Sequence, residues 1–183
     1  ALEEDRVVLY SQPVVRVASP TDAPVMQEIL LRLRDEDGTL VPPGAFLPAA
    51  ERYGLMPAID RWVVRAVLQW LARHATNPAL TDCYTINLSG LSLSDAPFLG
   101  FVLQELEASG VDPTRIAFEI TETAAVAALD SAVQLIKALK EKGCRFLLDD
   151  FGSGWSSFTY LKNLPVDFLK NDVGLVRDMA DDV

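Results

Sequence analysis

From residue 57 onward, the sequence alternates regularly between helical and strand patterns. Apolar residues recur at helical spacing, or follow a capping signal, in three segments, which we predict to be helices across 57–73, 96–108 and 123–142. A fourth helix is predicted across 153–161. Short apolar runs follow them, which we predict to be strands across 83–88, 115–121, 144–148 and 166–169. Because helices are the usual crossover between parallel strands, this order predicts an α/β fold with a parallel sheet.

The residues before this alternation predict a different unit. The segment 7–17 is rich in β-branched residues and predicts a strand that is interrupted at Gln12 and Pro13. The segment 26–33 predicts a second strand, and the two are able to form a hairpin. A short helix is predicted across 46–53.

Composition limits the partners that such a domain takes. The 183 residues suffice for one domain with a sizeable core, and they carry 26 acidic against 16 basic side chains, for a net charge of −10. We therefore expect no nucleic acid polymer as partner, since a broadly acidic surface repels phosphates. No apolar run is long enough to span a bilayer, so we expect no membrane contact by this domain. Cys83 and Cys144 lie in separate apolar runs, which favours reduced, buried thiols.

Polar residues interrupt or end the apolar strands, and they are mainly acidic. The interrupting residues are Glu28, Asn87, Glu119, Asp149, Asp150 and Lys170. In parallel α/β folds the carboxyl ends of the strands converge on one rim, where active sites are built. We therefore expect these side chains to share one mouth.

The chemistry of this set allows two interpretations. Oxygen ligands without His or Cys select hard divalent ions such as Mg²⁺ or Mn²⁺, and a pair of such ions is able to clamp a phosphoryl displacement. Lys170 would then steady the attacking water or the developing negative charge. Alternatively, the carboxylates form structural salt bridges with Arg32, Arg115 or Lys170. Position along the sequence leaves both interpretations open.

Seven segments resemble the motifs of one known family, in the family's order. They are LYSQPVV at 9–15, EILLR at 28–32, INLS at 86–89, FEITE at 118–122, DDFGSG at 149–154, YLKNLPVD at 160–167 and KND at 170–172. Together they resemble the EAL domain, the cyclic di-GMP phosphodiesterase family. The resemblance implies a modified (β/α)₈ TIM-like barrel whose first strand is antiparallel, with about six of the eight strands covered.

The same resemblance implies a domain organisation. Residues 1–6 would be the end of a linker helix from an upstream GGDEF or sensor domain, and residues 7–183 an EAL domain truncated before its last strands. The family also implies a homodimer. A cytoplasmic location is expected even where the parent chain is membrane-anchored, because cyclic di-GMP is an intracellular messenger.

For function, the resemblance implies hydrolysis of cyclic di-GMP to linear pGpG by water activated between two Mg²⁺ or Mn²⁺ ions. The metal ligands would be Glu28, Asn87, Glu119, Asp149 and, for the second ion, Asp150. Lys170 and Asp150 would be catalytic, and Gln12 and Arg32 would bind the nucleotide. The alternative is a receptor or regulatory domain that binds cyclic di-GMP without cleaving it.

Two residues depart from the family pattern. Ile29 stands where the signature has alanine, and we expect it to be tolerated because it should point away from Glu28, on the opposite strand face. Asn171 stands where isoleucine is usual, at an apolar strand end, and nothing in the sequence explains it.

Overall fold

The structure is a computed structural model, and it describes residues 6–14, 26–75, 83–151 and 161–171. Its strands are β1 Val7–Val14, β2 Met26–Arg34, β3 Leu40–Val41, β4 Tyr84–Asn87, β5 Ile116–Thr121, β6 Arg145–Phe151 and β7 Phe168–Asn171. Its helices are α1 Pro43–Arg52, α2 Met56–Arg73, α3 Gly90–Leu93, α4 Ala96–Ser109, α5 Glu122–Ala127 and α6 Leu129–Glu141. Short 3₁₀ turns cover Pro113–Arg115 and Leu161–Asn163. The helix predicted across 153–161 and the linker residues 1–5 lie outside the described residues, apart from residue 161.

One sheet joins all these strands in the order β1-β2-β4-β5-β6-β7, with β3 added on β2. β1 is antiparallel to β2, whereas β2, β4, β5, β6 and β7 pair in parallel from one to the next. The predictions of a hairpin followed by a parallel sheet are therefore confirmed. The backbone carbonyl of Arg6 accepts a hydrogen bond from Arg34 N–H at 2.6 Å, so the ladder of the hairpin continues to this residue.

The predicted interruption at Gln12 and Pro13 is wrong. β1 passes through both residues, which pair with Glu28 and Gln27 of β2. Within the described sheet β1 is an edge strand, where a residue without an N–H is tolerated because that side of the strand needs no ladder hydrogen bond.

Two apolar cores lie on opposite faces of the sheet. The larger core packs the helices against Ile86, Phe118, Ile120, Phe146 and Leu148, and the rings of Phe118 and Phe146 lie 5.5 Å apart. The smaller core, on the inner face, consists of Met26, Cys83, Ala117 and Leu147 with half-buried Val14 and Phe168. Since successive side chains of a strand alternate between faces, β2, β5 and β6 contribute to both cores, and Cys83 joins the smaller core from the position directly before β4. The two cysteines are free and buried, as expected.

Helix α2 confirms the predicted amphipathic helix, but its buried face is shifted away from Trp70. The apolar residues at helical spacing predict a buried face of Ile59, Val63, Ala66, Val67 and Trp70. Val63 and Val67 are buried, whereas Trp70 is 37% exposed. The residues that α2 buries are Met56, Asp60, Val63, Val64, Val67, Leu68 and Leu71. The buried stripe therefore includes a carboxylate, Asp60.

The single helix predicted across 123–142 is wrong, because two helices occupy this segment. Ala128 separates α5 from α6 with a non-helical conformation, φ −133° and ψ 47°. Thr121 caps α5, as its Oγ1 accepts from Ala124 N–H at 3.2 Å, and α6 then buries Ile136 and Leu139 against the sheet. The break lets α5 stay at the rim while α6 runs along the sheet. Among the residues described, no helix has the length and apolar character that a bilayer crossing requires.

Candidate active site

The ammonium group of Lys170 lies at the centre of an acidic cluster on the inner face of the sheet. Lys170 Nζ donates to Glu28 Oε2 at 2.8 Å and also to Glu119 Oε1, and it lies 3.5 Å from Asp149 Oδ2. These four residues come from β2, β5, β6 and β7. The predicted convergence of strand residues on one mouth is thus what the structure shows for this set.

Two further side chains extend the cluster from β4. Asn87 Nδ2 donates to Glu28 Oε1 at 3.2 Å, and Thr85 Oγ1 donates to Glu119 Oε2 at 3.2 Å. Sequence reasoning missed Thr85, although a signal was present: it precedes Asn87 by two residues and therefore shares its strand face. Thr85 is fully buried, so its hydroxyl fixes the orientation of the Glu119 carboxylate.

Strand register explains why these side chains meet. Asn87 pairs with Glu119 across β4 and β5, and Thr121 pairs with Asp149 across β5 and β6. Paired residues of neighbouring strands point to the same face. The smaller core forms the floor beneath the cluster, because its members lie two residues before cluster residues in the same strands or, for Cys83, directly before β4: Met26, Cys83, Ala117, Leu147 and Phe168.

Burial and neighbouring negative charges shift the pKa of Glu119. Burial, together with the neighbouring carboxylates of Glu28 and Asp149, raises the pKa of Glu119 to about 7, although Lys170 opposes this shift. Desolvation lowers the pKa of Lys170, but its hydrogen bonds to Glu119 and Glu28 outweigh that effect and raise it above the ordinary value. Three carboxylates thus face one ammonium group. The excess of negative charge favours a bound cation.

The donor chemistry of this cluster fits a hard divalent ion. Glu28, Glu119 and Asp149 offer carboxylate oxygens, and Asn87 offers an amide oxygen, which are ligands that Mg²⁺ and Mn²⁺ prefer. In the geometry described, however, Lys170 Nζ lies among these carboxylates. Within 6–14, 26–75, 83–151 and 161–171, no three acidic, His or Cys side chains are arranged as a metal-binding group. The structure therefore shows the carboxylates in salt bridges with Lys170, which is the second interpretation of the sequence. The same side chains have the oxygen ligands that the first interpretation, a metal site, requires.

Asp150 differs in environment from Asp149. It is exposed and has a positive φ of 54°, the only such non-glycine residue among those described. The pairing of β6 with β7 is irregular between Leu148 and Phe151, so a bulge surrounds it. A bulge re-aims side chains that strict alternation would send to opposite faces, and bulges are frequent beside active sites.

The two predicted nucleotide-binding residues lie on β1 and β2. Gln12 is exposed and pairs directly with Glu28, so it flanks the cluster. Arg32 lies four residues after Glu28 on the same strand face, about 13 Å towards the carboxyl end. Its side chain is half-buried, and Nη1 donates to Leu31 O at 2.8 Å. Arg32 is thus displaced from the carboxylates along β2, towards the rim.

A cavity of about 750 Å³ lies between strands β2, β4 and β5 and helices α1, α2 and α5. Asn87, Glu119 and Thr121 line one part of it, and α1, α2 and α5 supply mainly apolar residues to the rest. Ile29 and Leu31, which lie on the β2 face opposite Glu28, also line it, whereas Glu28, Asp149 and Lys170 do not.

Comparison with known proteins identifies the family. A family model described as the EAL domain matches residues 1–183. The chain belongs to the EAL domain family. Solved EAL structures are similar to it: the c-di-GMP complex of the phosphodiesterase PaMucR has a TM-score of 0.87 at 32% identity, covering 98% of this chain and 72% of that one. The EAL domain of FimX from Pseudomonas aeruginosa bound to c-di-GMP has a TM-score of 0.85 at 34% identity, covering 98% and 71%. The predicted TIM-like barrel class is confirmed.

Curated relatives of this EAL domain are much longer proteins. Cyclic di-GMP phosphodiesterase PdeB of Shewanella oneidensis is 36% identical over 98% of this chain, which spans 21% of the relative. Cyclic di-GMP phosphodiesterase PdeF of Escherichia coli is 36% identical over 98% of this chain, which spans 23% of it. The chain thus spans less than a quarter of the length of either relative.

The departure from the family signature at Ile29 is explained by its position. Ile29 pairs with Ile86 and packs, half-buried, against the larger core on the face opposite Glu28. A larger aliphatic side chain there fills the core and leaves the carboxylate cluster unchanged, as expected from strand alternation. The side chain of Asn171 lies outside the described part of the chain.

Proposed function

We propose that this EAL domain is a metal-dependent phosphodiesterase that hydrolyses cyclic di-GMP to linear pGpG. One observation supports it above all: Glu28, Asn87, Glu119 and Asp149, from four strands, lie in one hydrogen-bonded cluster around Lys170. Two relatives that match nearly the whole chain are named cyclic di-GMP phosphodiesterases. Two similar structures are complexes with c-di-GMP.

In this proposal the cluster holds two Mg²⁺ or Mn²⁺ ions. The ligands would be Glu28, Asn87, Glu119, Asp149 and, for the second ion, Asp150. Such ions polarise a phosphodiester and lower the pKa of a bound water. Water oxygen forms the new bond to phosphorus as the bond from phosphorus to the ribose 3′ oxygen breaks, which leaves a 5′ phosphate and a 3′ hydroxyl.

The chain's own residues would orient this reaction. Lys170 would donate hydrogen bonds to the attacking water or to the phosphoryl oxygens, where negative charge develops. Arg32 would pair with the second phosphate of the ligand, since a guanidinium matches phosphate geometry. Gln12, exposed beside Glu28, would bind a base or ribose edge. The smaller core, which forms the floor beneath the cluster, would keep water from reaching the carboxylates from below.

A non-catalytic receptor is the second candidate, and one observation favours it. Lys170 Nζ already neutralises part of the charge of Glu28 and Glu119, so the chain itself compensates some of the charge that a metal would otherwise balance. A domain of this kind would bind cyclic di-GMP through Gln12 and Arg32 and leave it intact.

Incubation of the intact protein with cyclic di-GMP and either Mg²⁺ or Mn²⁺ distinguishes the two. Hydrolysis predicts pGpG by chromatography, and Glu28→Gln should abolish it while keeping the fold. Arg65→Gln is a matched control, since Arg65 pairs with Glu105 on the surface between α2 and α4. Calorimetry in EDTA that shows tight binding, together with no product in either metal, would establish the receptor and refute the phosphodiesterase.

We further propose that the domain acts in the cytoplasm, as a homodimer, within a longer chain that carries an upstream GGDEF or sensor domain. The length of the relatives supports the last point, as does the name of one of them, bifunctional diguanylate cyclase/cyclic di-GMP phosphodiesterase MucR of Pseudomonas aeruginosa. Light scattering on the intact protein tests the dimer, and a monomer at micromolar concentration would contradict it.

A further inference from the structure

Asp60 is a carboxylate in an apolar stripe, and its burial has no role in the reaction described above. It is 4% exposed and lies four residues from Val64 and Met56 on α2, which are both buried. Burial raises the pKa of Asp60, while hydrogen bonds from Ser92 and Ser89 oppose the shift. Because a buried carboxylate costs several kcal/mol unless it is well paired, its partners indicate what it does.

Within the described part of the chain, the hydrogen bonds to Asp60 come from the turn that follows β4 and from helix α3. Asp60 Oδ2 accepts from Ser89 N–H at 2.9 Å, from Ser89 Oγ at 2.7 Å and from Ser92 Oγ at 2.6 Å. Ser89 is the N-cap residue of α3 and lies two residues after Asn87. A single carboxylate oxygen on α2 therefore fastens the backbone directly after the end of β4.

Asn87 lies directly before this fastened backbone. Its side chain is exposed, and it donates to Glu28 Oε1 at 3.2 Å, a long hydrogen bond. On the chain after Asn87, Leu88 N–H donates to Glu119 O at 2.8 Å, and the next residue, Ser89, is held by Asp60. The backbone next to Asn87 is thus fixed from β5 and from α2, whereas the side chain itself has little packing.

We propose that Asp60 is a positioning residue, which holds the turn after β4 so that the Asn87 side chain faces Glu28 and the metal-binding carboxylates. This role belongs to the proposed function, and the metal-binding measurement that tests it rests on that function. Outer-shell partners that orient metal ligands typically contribute 10–100-fold to metal affinity or activity. Loss of Asp60 should therefore weaken metal binding without removing any ligand.

Three variants of the intact protein test this role. Asp60→Ala removes the acceptor of all three hydrogen bonds, and Asp60→Asn keeps one neutral oxygen that is able to accept some of them. Val64→Ala is the control. It removes buried methyl groups from the same helix, four residues from Asp60, and leaves all the hydrogen bonds to Ser89 and Ser92 in place. Ser92→Ala removes one of the three donors and serves as a milder variant if Asp60→Ala does not fold.

The first readout does not depend on metal or on activity. In metal-free protein, the side-chain amide resonances of Asn87, assigned by their loss in Asn87→Ala, should shift or broaden in Asp60→Ala and keep their wild-type positions in Val64→Ala. The second readout is the dissociation constant of Mn²⁺ by electron paramagnetic resonance. It should rise about tenfold or more in Asp60→Ala, less in Asp60→Asn, and not in Val64→Ala.

Unchanged Asn87 resonances in Asp60→Ala would overturn the positioning role, and so would equal shifts in Val64→Ala, since these would reflect stability alone. A Mn²⁺ constant within twofold of wild type in Asp60→Ala would also overturn it. If the wild type itself binds no Mn²⁺, the metal-dependent function fails, and the amide resonances alone decide the role of Asp60.

Discussion

Replacing Glu119 by Gln should remove a pH dependence of stability that the buried carboxyl group creates. The pKa of Glu119 is about 7 in the folded protein, mainly because burial disfavours its charged form, against 4.5 as the ordinary value. Between these values the folded state binds more protons than the unfolded state. Stability from this group is therefore fully present below about pH 4.5 and is lost as the pH rises through about 7.

The size of the effect follows from the two pKa values. Each pKa unit corresponds to about 1.4 kcal/mol, so linkage across about pH 5 to 7.5 gives a loss of about 2 kcal/mol in the free energy of unfolding. Gln keeps the shape of the side chain and an oxygen for the Thr85 hydroxyl, but it does not titrate. The wild type should thus lose about 2 kcal/mol relative to Glu119→Gln over this range.

Urea unfolding of both proteins in EDTA, at the two ends of this range, measures the difference. Comparison with Glu119→Gln cancels the titration of the groups that lie away from Glu119, and what is left is the titration of Glu119 and of the charges in contact with it. A difference that changes by less than about 0.5 kcal/mol, or that favours the wild type at the higher pH, would refute the burial argument. If the proposed metal site forms, saturating Mg²⁺ should reduce the effect, because a cation stabilises the carboxylate.

Three further substitutions have definite expected outcomes. Lys170→Met should lower the rate of pGpG formation by at least about 100-fold, and turnover within threefold of wild type would exclude Lys170 from the chemistry. Asp167→Asn should lower the free energy of unfolding, measured in urea, by about 1–3 kcal/mol. Asp167 accepts hydrogen bonds from Lys140 Nζ at 2.5 Å and from Phe146 N–H at 2.8 Å. An unchanged unfolding midpoint would show that these bonds contribute nothing to stability. Ile29→Ala, which restores the family signature, should cost about 1–2 kcal/mol of stability by the same assay and leave turnover unchanged, so a large change in rate would contradict its placement on the far face.

The sequence predicted the site well where strand geometry alone decides it. The side chains of Asn87, Glu119 and Asp149 meet because parallel register and alternation place them on one face, and both rules can be applied to a sequence. The position of Lys170 among the carboxylates was less evident, since it depends on how far a flexible side chain reaches from β7. Whether the carboxylates form ion pairs with Lys170 or bind a metal depends on distances between strands, which the sequence does not give.

Other features escaped because they depend on packing between elements. Asp60 lies at helical spacing with Val63, Val64 and Val67, but its polarity removed it from the predicted apolar face, although a lone carboxylate in such a stripe is itself a signal. Alanine is a strong helix former, so the sequence gives no signal that the chain leaves the helical conformation at Ala128.

The contact between Glu28 and Lys170 joins residues 142 positions apart in the chain. A nascent polypeptide that has emerged only as far as β6 lacks its ammonium partner, so its carboxylates repel one another without compensation. Contacts of such long sequence separation form late and slow the folding of a domain. Competence for the ligand should therefore arise only when synthesis has passed the last described strand, and it should be among the first properties lost when that strand detaches.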